Sequence, residues 1–157
     1  MEYCEVGEMA FHIKRKVNQG ETFSEMEVFN WFVQICLALE YVHGRRVIHR
    51  DIKTQNIFLT GSNTIRVGDF GISKVLETTC QNANTVVGTP YYMAPEACQS
   101  EPYTSKSDVW ALGCILYELM TLKKPFEADN LLGLVFKIVT EKPVAIPSSA
   151  PYSKELR

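Results

Sequence analysis

The sequence predicts a mainly α-helical fold of the α+β class, organised as one unit over residues 1–157. Three observations predict it: long apolar segments with helical periodicity, two short β-branched segments joined by a turn, and a globular composition. Of the residues, 46% are hydrophobic and 22% are charged, which is near the average for folded domains. A chain of this length can bury about two-thirds of the surface of its unfolded form, so a sizeable core is expected.

The first half of the chain contains the clearest helix signal. A first helix is expected at about residues 8–17, after a strand end that runs into a loop at Gly7. Ser24 and Glu27 then form an S-x-x-E capping box, which predicts the start of a long helix that ends at Gly44. Its apolar residues recur at helical spacing, namely Val28, Trp31, Phe32, Ile35, Leu39 and Val42.

The middle of the chain predicts strands and a loop. The segments "NIFLT" and "TIRVGDF", separated by "GSN", predict two short strands joined by a turn. Residues 71–89 are polar and rich in threonine, which predicts a long loop of the functional kind. Ser105 and Asp108 are expected to cap an apolar helix at residues 109–120, and residues 131–139 predict a further helix.

Charge and composition exclude several classes of protein. The formal net charge of -2 offers no basic surface, so nucleic acid is not expected as a partner. The most apolar segment, residues 109–120, is too short to span a bilayer and contains Glu118, so no membrane insertion is expected. The five cysteines form no C-x-x-C pair and have no matching histidine spacing, which favours free thiols over a metal site. With no signal-peptide pattern, an intracellular, cytoplasmic location is expected.

Four polar residues beside the predicted strands can carry chemistry. Singly, Asp51, Lys53, Asn56 and Asp69 are explained as turn residues with Asx hydrogen bonds, or as a solvated lysine. Together they permit a second interpretation, in which Asp51 accepts a proton and Lys53 neutralises charge on a phosphoryl group. Asn56 and Asp69 then offer oxygen ligands to a hard cation such as Mg²⁺.

Several motifs of the chain resemble those of protein kinases in order and spacing. They are "HRDIKTQN" at residues 49–56, "DFG" at 69–71 and "APE" at 94–96, with "SDVWALG" following at 107–113. The resemblance runs through essentially the whole chain. The segments "MEYCEVGEM", "GDFGISKVL", "VVGTPYYMAPE" and "KKPFEADN" further resemble the NIMA-related serine/threonine kinases.

The resemblance implies a role for each matching residue. Asp51 matches the catalytic base, Lys53 the lysine that steadies the γ-phosphate of ATP, and Asn56 and Asp69 the ligands of Mg²⁺. Thr89 matches the threonine that supports Asp51 and Lys53 in serine/threonine enzymes. The implied activity is ATP-dependent phosphorylation of serine and threonine hydroxyls on protein substrates.

The resemblance also implies a support and a regulatory site. Asp108 resembles the carboxylate that holds the backbone of the segment from His49 to Asp51. Arg50 precedes the catalytic aspartate, and a phosphate on the threonine-rich loop, first of all on Thr85, would pair with its guanidinium. The alternative is that these threonines only solvate a loop.

The match begins at the hinge of the family, where the backbone near Glu2 and Cys4 would bind adenine. The Gly-rich loop, the strand lysine and the helix glutamate of the N-terminal lobe have no counterpart in residues 1–157, nor does the arginine expected to pair with Glu96. We therefore expect a partial kinase domain, a C-terminal lobe with a few short strands, that is inactive alone because half of the ATP clamp is missing. The alternative is a catalytically dead lobe that acts as an interaction module.

Overall fold

The computed structural model describes residues 6–68 and 90–157 of the chain, and about half of these residues are helical. The helices are joined by a small three-stranded antiparallel sheet with the order β1-β2-β3. Along the chain the elements are β1 (Gly7–Glu8), α1 (Met9–Gln19), α2 (Glu25–Gly44), a 3₁₀ turn (Thr54–Asn56), β2 (Ile57–Leu59), β3 (Ile65–Val67), α3 (Pro95–Cys98), α4 (Ser105–Thr121) and α5 (Leu131–Thr140).

Helix α2 is the helix predicted from the capping box and the apolar periodicity. The Ser24 hydroxyl oxygen accepts the Glu27 N–H at 3.3 Å, and a Glu27 carboxylate oxygen accepts the Ser24 N–H at 2.8 Å. Both bonds satisfy N–H groups that the first turn of a helix leaves without partners. The buried face is formed by Val28, Trp31, Ile35 and Leu39. The helix ends at Gly44 as predicted, a few residues before the polar cluster around Asp51.

Helix α4 begins earlier than predicted, and its cap differs. Thr104 is the N-cap, and its hydroxyl oxygen accepts the Lys106 N–H at 3.2 Å. In return, the Ser107 hydroxyl oxygen accepts the Thr104 N–H at 3.1 Å. The expectation that Ser105 and Asp108 cap a helix at residues 109–120 is therefore wrong. Thr104 has the extended backbone that a cap requires. Because the helix begins at Ser105, Asp108 lies inside its first turn, and its carboxylate is available to other segments.

The sheet contains the two predicted strands and one more. Strands β2 and β3 are antiparallel, with Ile57 opposite Val67 and Leu59 opposite Ile65. The expectation of a loop at Gly7 is wrong, because Gly7 pairs with Leu59 and extends the sheet beyond β2. The sheet fixes the point at which the chain leaves the polar cluster around Asp51.

The core lies where α2 packs against α4 and the sheet. Ile35, Ile57, Ile115 and Leu119 are completely buried there. A second, smaller cluster of Phe126, Leu134 and Ile138 joins α5 to the segment before α3. The helices predicted at residues 8–17 and 131–139 are present as α1 and α5, each slightly longer than predicted. Within residues 6–68 and 90–157, no helix has the length and apolar character needed to cross a membrane.

Candidate active site

The segment from Ile48 to Asn56, which we call the Asp51 loop, is anchored by one buried carboxylate on α4. The Asp108 side chain is completely buried. One of its oxygens accepts the backbone N–H of His49 at 2.9 Å, and the other accepts the backbone N–H of Arg50 at 3.0 Å. Hydrogen bonds to a carboxylate are about twice as strong as those between neutral groups, so this contact fixes the loop firmly on α4.

Two further side chains complete the environment of Asp108. The His43 Nε2 atom, in the last turn of α2, lies 2.7 Å from one carboxylate oxygen, and the Tyr103 hydroxyl donates to the other at 2.9 Å. Burial raises the pKa of the Tyr103 phenol, and the nearby negative charge of Asp108 raises it further. The hydroxyl therefore keeps its proton and remains a donor to the carboxylate.

His49 turns the loop toward β3. Its Nδ1 atom accepts the Asp51 N–H at 3.3 Å, so the ring proton belongs on Nε2. Nε2 then donates to the Gly68 carbonyl at 3.1 Å. Gly68 is the last described residue before the DFG motif, so the buried imidazole joins the Asp51 loop to the residue that precedes that motif.

The polar residues predicted for the site form one cluster at the top of the loop. The Lys53 ammonium lies 3.0 Å from one carboxylate oxygen of Asp51 and 2.8 Å from the other. The Asn56 amide NH₂ donates to the Asp51 carbonyl at 2.8 Å and to its carboxylate at 2.9 Å. The Asp51 and Lys53 side chains keep about a quarter of their surface exposed, 26% and 27%. A partly exposed ion pair adds little to stability, so its value lies in orienting the Asp51 carboxylate toward solvent.

Asn56 also has the chemistry required of a magnesium ligand. Because its NH₂ group is committed to Asp51, its amide oxygen points away from that residue. No donor to this oxygen is found among residues 6–68 and 90–157. A neutral amide oxygen paired with a carboxylate is a suitable donor set for Mg²⁺. Asp69, the carboxylate predicted to share the ion, lies outside the described residues.

A comparison with known protein families shows which family has this arrangement of residues. A sequence model described as "Protein kinase domain" matches residues 1–155. The chain belongs to the protein kinase family.

Individual relatives of this kinase chain are serine/threonine kinases of the Nek group. It is 52% identical to mouse Nek1 over 157 residues, covering 100% of this chain and 13% of that protein. It is 49% identical to human Nek5 over 157 residues, covering 99% of this chain and 22% of that protein. It is 48% identical to mouse Nek4 over 156 residues, covering 99% of this chain and 19% of that protein. The resemblance to NIMA-related kinases predicted from the sequence is therefore confirmed, and the chain spans less than a quarter of the length of each of these relatives.

The structure of the kinase chain brings together part of the predicted site. Asp51, Lys53 and Asn56 form the cluster described above, and Arg50 lies beside it with an exposed side chain. The Asp108 contact with the loop backbone, predicted from the family resemblance, is present. Five predicted residues lie outside the described residues, namely Glu2, Cys4, Asp69, Thr85 and Thr89.

Sequence reasoning missed His43 and Tyr103, the two side chains that complete the surroundings of Asp108. Both were detectable in part. His43 is a basic residue in the last turn of α2, and Tyr103 directly precedes the cap of the next long helix. His43 gave no indication of its contact because Asp108 lies 65 residues away. Tyr103 lies only 5 residues from Asp108, but it precedes the helix cap, and the local sequence does not indicate that its hydroxyl contacts α4.

Proposed function

We propose that this chain is the C-terminal lobe of a serine/threonine protein kinase, which transfers the γ-phosphate of ATP to hydroxyls of protein substrates. One observation carries the proposal. Asp51 is oriented by Lys53 and Asn56 at 2.8–3.0 Å, on a loop that the buried Asp108 anchors, in a chain of the protein kinase family. The serine/threonine class is supported by Lys53 and by the printed names of the Nek relatives.

The proposed chemistry follows from the charges in the cluster. Asp51 is the base that accepts the proton of the substrate hydroxyl, and its orientation comes from the two side chains that donate to it. Lys53 provides a positive charge beside the phosphoryl group that is being transferred. Thr89, at the end of the threonine-rich segment 71–89, is proposed to support Asp51 and Lys53.

Asn56 and Asp69 are the residues that would hold Mg²⁺. When bound, the ion neutralises negative charge on the phosphates of ATP. The adenine ring is proposed to meet the backbone near Glu2 and Cys4. The remaining phosphate contacts are assigned to an N-terminal lobe, so we expect residues 1–157 alone to transfer no phosphate.

The test uses the natural protein with any residues that flank this segment. Transfer of labelled phosphate from ATP to a serine/threonine peptide library should be measured with Mg²⁺, beside the 157-residue chain alone. Asp51→Asn keeps the size of the side chain but removes the base, and should lower the rate by about 10²- to 10⁴-fold. The matched control is Asp129→Asn, an exposed carboxylate distant in sequence from the cluster.

Unchanged transfer in Asp51→Asn would contradict the assignment of the base. A natural protein that binds peptides but transfers no phosphate, with or without Asp51, would instead support the interaction module. If the 157-residue chain transfers phosphate and Asp51→Asn abolishes this transfer, the proposal that the chain is inactive by itself is contradicted.

Regulation by phosphorylation is proposed at Thr85, with Arg50 as the group that pairs with the added phosphate. The Arg50 side chain is exposed beside the cluster, which supports this pairing. Thr85→Ala should lower the activity of the phosphorylated natural protein, whereas the exposed control Thr22→Ala should not. Equal activity of Thr85→Ala and the unsubstituted protein would exclude Thr85 as the regulatory site.

A further inference from the structure

The Tyr92 hydroxyl joins three parts of the chain beneath the Asp51 loop. It lies 2.7 Å from the Thr54 hydroxyl in the loop and donates to a Glu118 carboxylate oxygen on α4 at 2.6 Å. The Lys124 ammonium, from the segment after α4, contacts the same hydroxyl and lies 2.5 Å from the other oxygen of Glu118. Tyr92 itself belongs to the short segment between residue 89 and helix α3.

The direction of these hydrogen bonds is determined by charge. Glu118 and Lys124 form an ion pair, so the carboxylate accepts and the ammonium donates. Tyr92 gives its only proton to Glu118, and its oxygen therefore accepts from Thr54. Burial raises the pKa of the Tyr92 phenol, with the charge of Glu118 as the next cause, so this proton stays in place at neutral pH.

The network is largely buried, which limits competition from water. Thr54 is completely buried, Glu118 is 6% exposed, and the Lys124 side chain is 19% exposed. A buried carboxylate without a partner would be strongly destabilising, and here Lys124 supplies the opposite charge. Thr54 contributes no charge, yet its hydroxyl is committed to this network rather than to its own turn.

Thr54 stands between two residues of the proposed site. It begins the 3₁₀ turn Thr54–Asn56, which directly follows Lys53. Inside the turn, the Asn56 N–H donates to the Lys53 carbonyl at 2.9 Å. A turn of three residues has few bonds of its own, so an anchor outside it sets its position relative to α4.

We propose that Thr54 is a positioning residue of the site, whose hydroxyl, held by Tyr92 and Glu118, fixes the placement of Lys53 and Asn56 around Asp51. The inference rests on the proposed kinase function. Thr54 is completely buried, so it acts through the backbone of the turn and not by contact with a substrate. Tyr92 thereby connects the segment before helix α3 to the base of the site.

The test compares four single variants and the double variant Thr54→Val/Tyr92→Phe, all in the natural protein with any flanking residues. Thr54→Val keeps the shape but removes the hydroxyl, Thr54→Ser keeps the hydroxyl, and Tyr92→Phe removes its partner. The control is Tyr117→Phe, a half-buried tyrosine on α4 whose hydroxyl has no partner in the part of the chain that the structure describes. Each variant is assayed for kcat, for KM of ATP, for melting temperature and for hydrogen exchange of the peptide that contains residues 51–59.

We expect Thr54→Val to lower kcat by about fivefold, which is the size expected for one buried hydrogen bond. Tyr92→Phe should lower kcat by at least as much, because it also removes the bonds to Glu118 and Lys124. Thr54→Ser should restore most of kcat, and Tyr117→Phe should match the unsubstituted protein. The double variant should be no slower than Tyr92→Phe alone, because loss of the Tyr92 hydroxyl already removes the bond to Thr54. Exchange at residues 53–56 should become faster, while the melting temperature of Thr54→Val stays close to that of Thr54→Ser.

Two results would overturn the proposal. One is a kcat of Thr54→Val equal to that of Thr54→Ser, and the other is unchanged exchange at residues 53–56 in both Thr54→Val and Tyr92→Phe. The exchange measurement does not depend on catalysis. If no Asp51-dependent transfer is found, the proposed function fails, whereas the exchange result still decides whether Thr54 holds the turn.

Discussion

The Arg50 backbone N–H donates to the Asp108 carboxylate at 3.0 Å, across 58 positions of the chain. Arg50 has a φ of 68°, the left-handed conformation that costs a residue with a side chain about 1 kcal/mol. The conformation points two successive N–H groups, those of His49 and Arg50, at the same carboxylate. The shape of the Asp51 loop is therefore maintained by a residue of α4 and not by the loop alone.

Asp108→Asn should lower the free energy of unfolding by about 2–4 kcal/mol. The carboxylate accepts four hydrogen bonds, whereas an amide replaces one acceptor oxygen by a donor that would face other donors. Urea denaturation of the variant measures the loss. Asp129→Asn is the control, since that carboxylate is exposed, and a surface substitution should change stability by less than about 0.5 kcal/mol. Similar losses in both variants would contradict the anchoring role of Asp108.

Gly68→Ala should also destabilise the protein, by about 1–3 kcal/mol, because of overpacking. A Cβ atom at Gly68 would lie 2.7 Å from the Cε2 atom of Phe58. The backbone cannot easily move away, since the Gly68 N–H donates to the Asn56 carbonyl at 2.8 Å and its own carbonyl accepts from His49.

The test combines Gly68→Ala with Phe58→Leu, which removes the ring atom that the new methyl group would contact. The double variant should recover part of the loss measured by urea denaturation, so the two effects should be non-additive. If Phe58→Leu only adds its own cost to that of Gly68→Ala, the contact with Phe58 is not the cause.

Alkaline pH should destabilise the fold through Tyr92 and Tyr103. The pKa of each phenol is raised above its ordinary value of 10.0, first by burial and next by a neighbouring carboxylate. The unfolded chain releases these protons at about pH 10 while the folded chain keeps them. Their stabilising contribution is thus complete below pH 10 and is lost as the pH rises, by about 1.4 kcal/mol per pH unit and per tyrosine.

Phenolate absorbance, followed together with unfolding, checks the prediction for the tyrosines. Tyr92 and Tyr103 should ionise only as the protein unfolds, and Tyr103→Phe should reduce the amplitude of that late step. An unchanged late step in both Tyr92→Phe and Tyr103→Phe would show that other tyrosines produce it.

Cys114 should not react with iodoacetamide in the folded protein at neutral pH. Its side chain is 5% exposed, and burial raises the pKa of its thiol to about 12. Since the thiolate is the reacting form, labelling requires local or global opening. Mass spectrometry of peptides should find Cys114 labelled only in urea. Labelling of native Cys114 at the rate found in urea would contradict the burial that the structure shows.

The parts of the fold that depend on neighbouring residues were predicted from the sequence. Helix α2 was predicted with its capping box, because Ser24 and Glu27 need only each other and the first turn. The cluster of Asp51, Lys53 and Asn56 was likewise predicted, because its members lie within six residues. Strands β2 and β3 followed from composition and from the turn that separates them.

The parts that depend on distant residues were not predicted in full. The segment "YTSKSD" contains several residues suited to capping, and only the structure shows that Thr104 is the cap. The contact of Asp108 with the Asp51 loop was predicted from the family resemblance and not from the local sequence. Glu118 was visible as a charge in an apolar helix, but Tyr92 and Thr54 come from elsewhere in the chain. The pairing of Gly7 with Leu59 has no signal in the local sequence.

The separation along the sequence between the Asp51 loop and Asp108 has a consequence for synthesis on the ribosome. The loop is translated 58 residues before Arg50 can meet its acceptor on α4. At translation rates of about 5–20 residues per second, the interval lasts about 3–12 s. During that time the left-handed backbone at Arg50 has no carboxylate to stabilise it, and the exposed N–H groups bind water. A nascent chain stalled before Asp108 would therefore carry the residues of the site without its assembled loop.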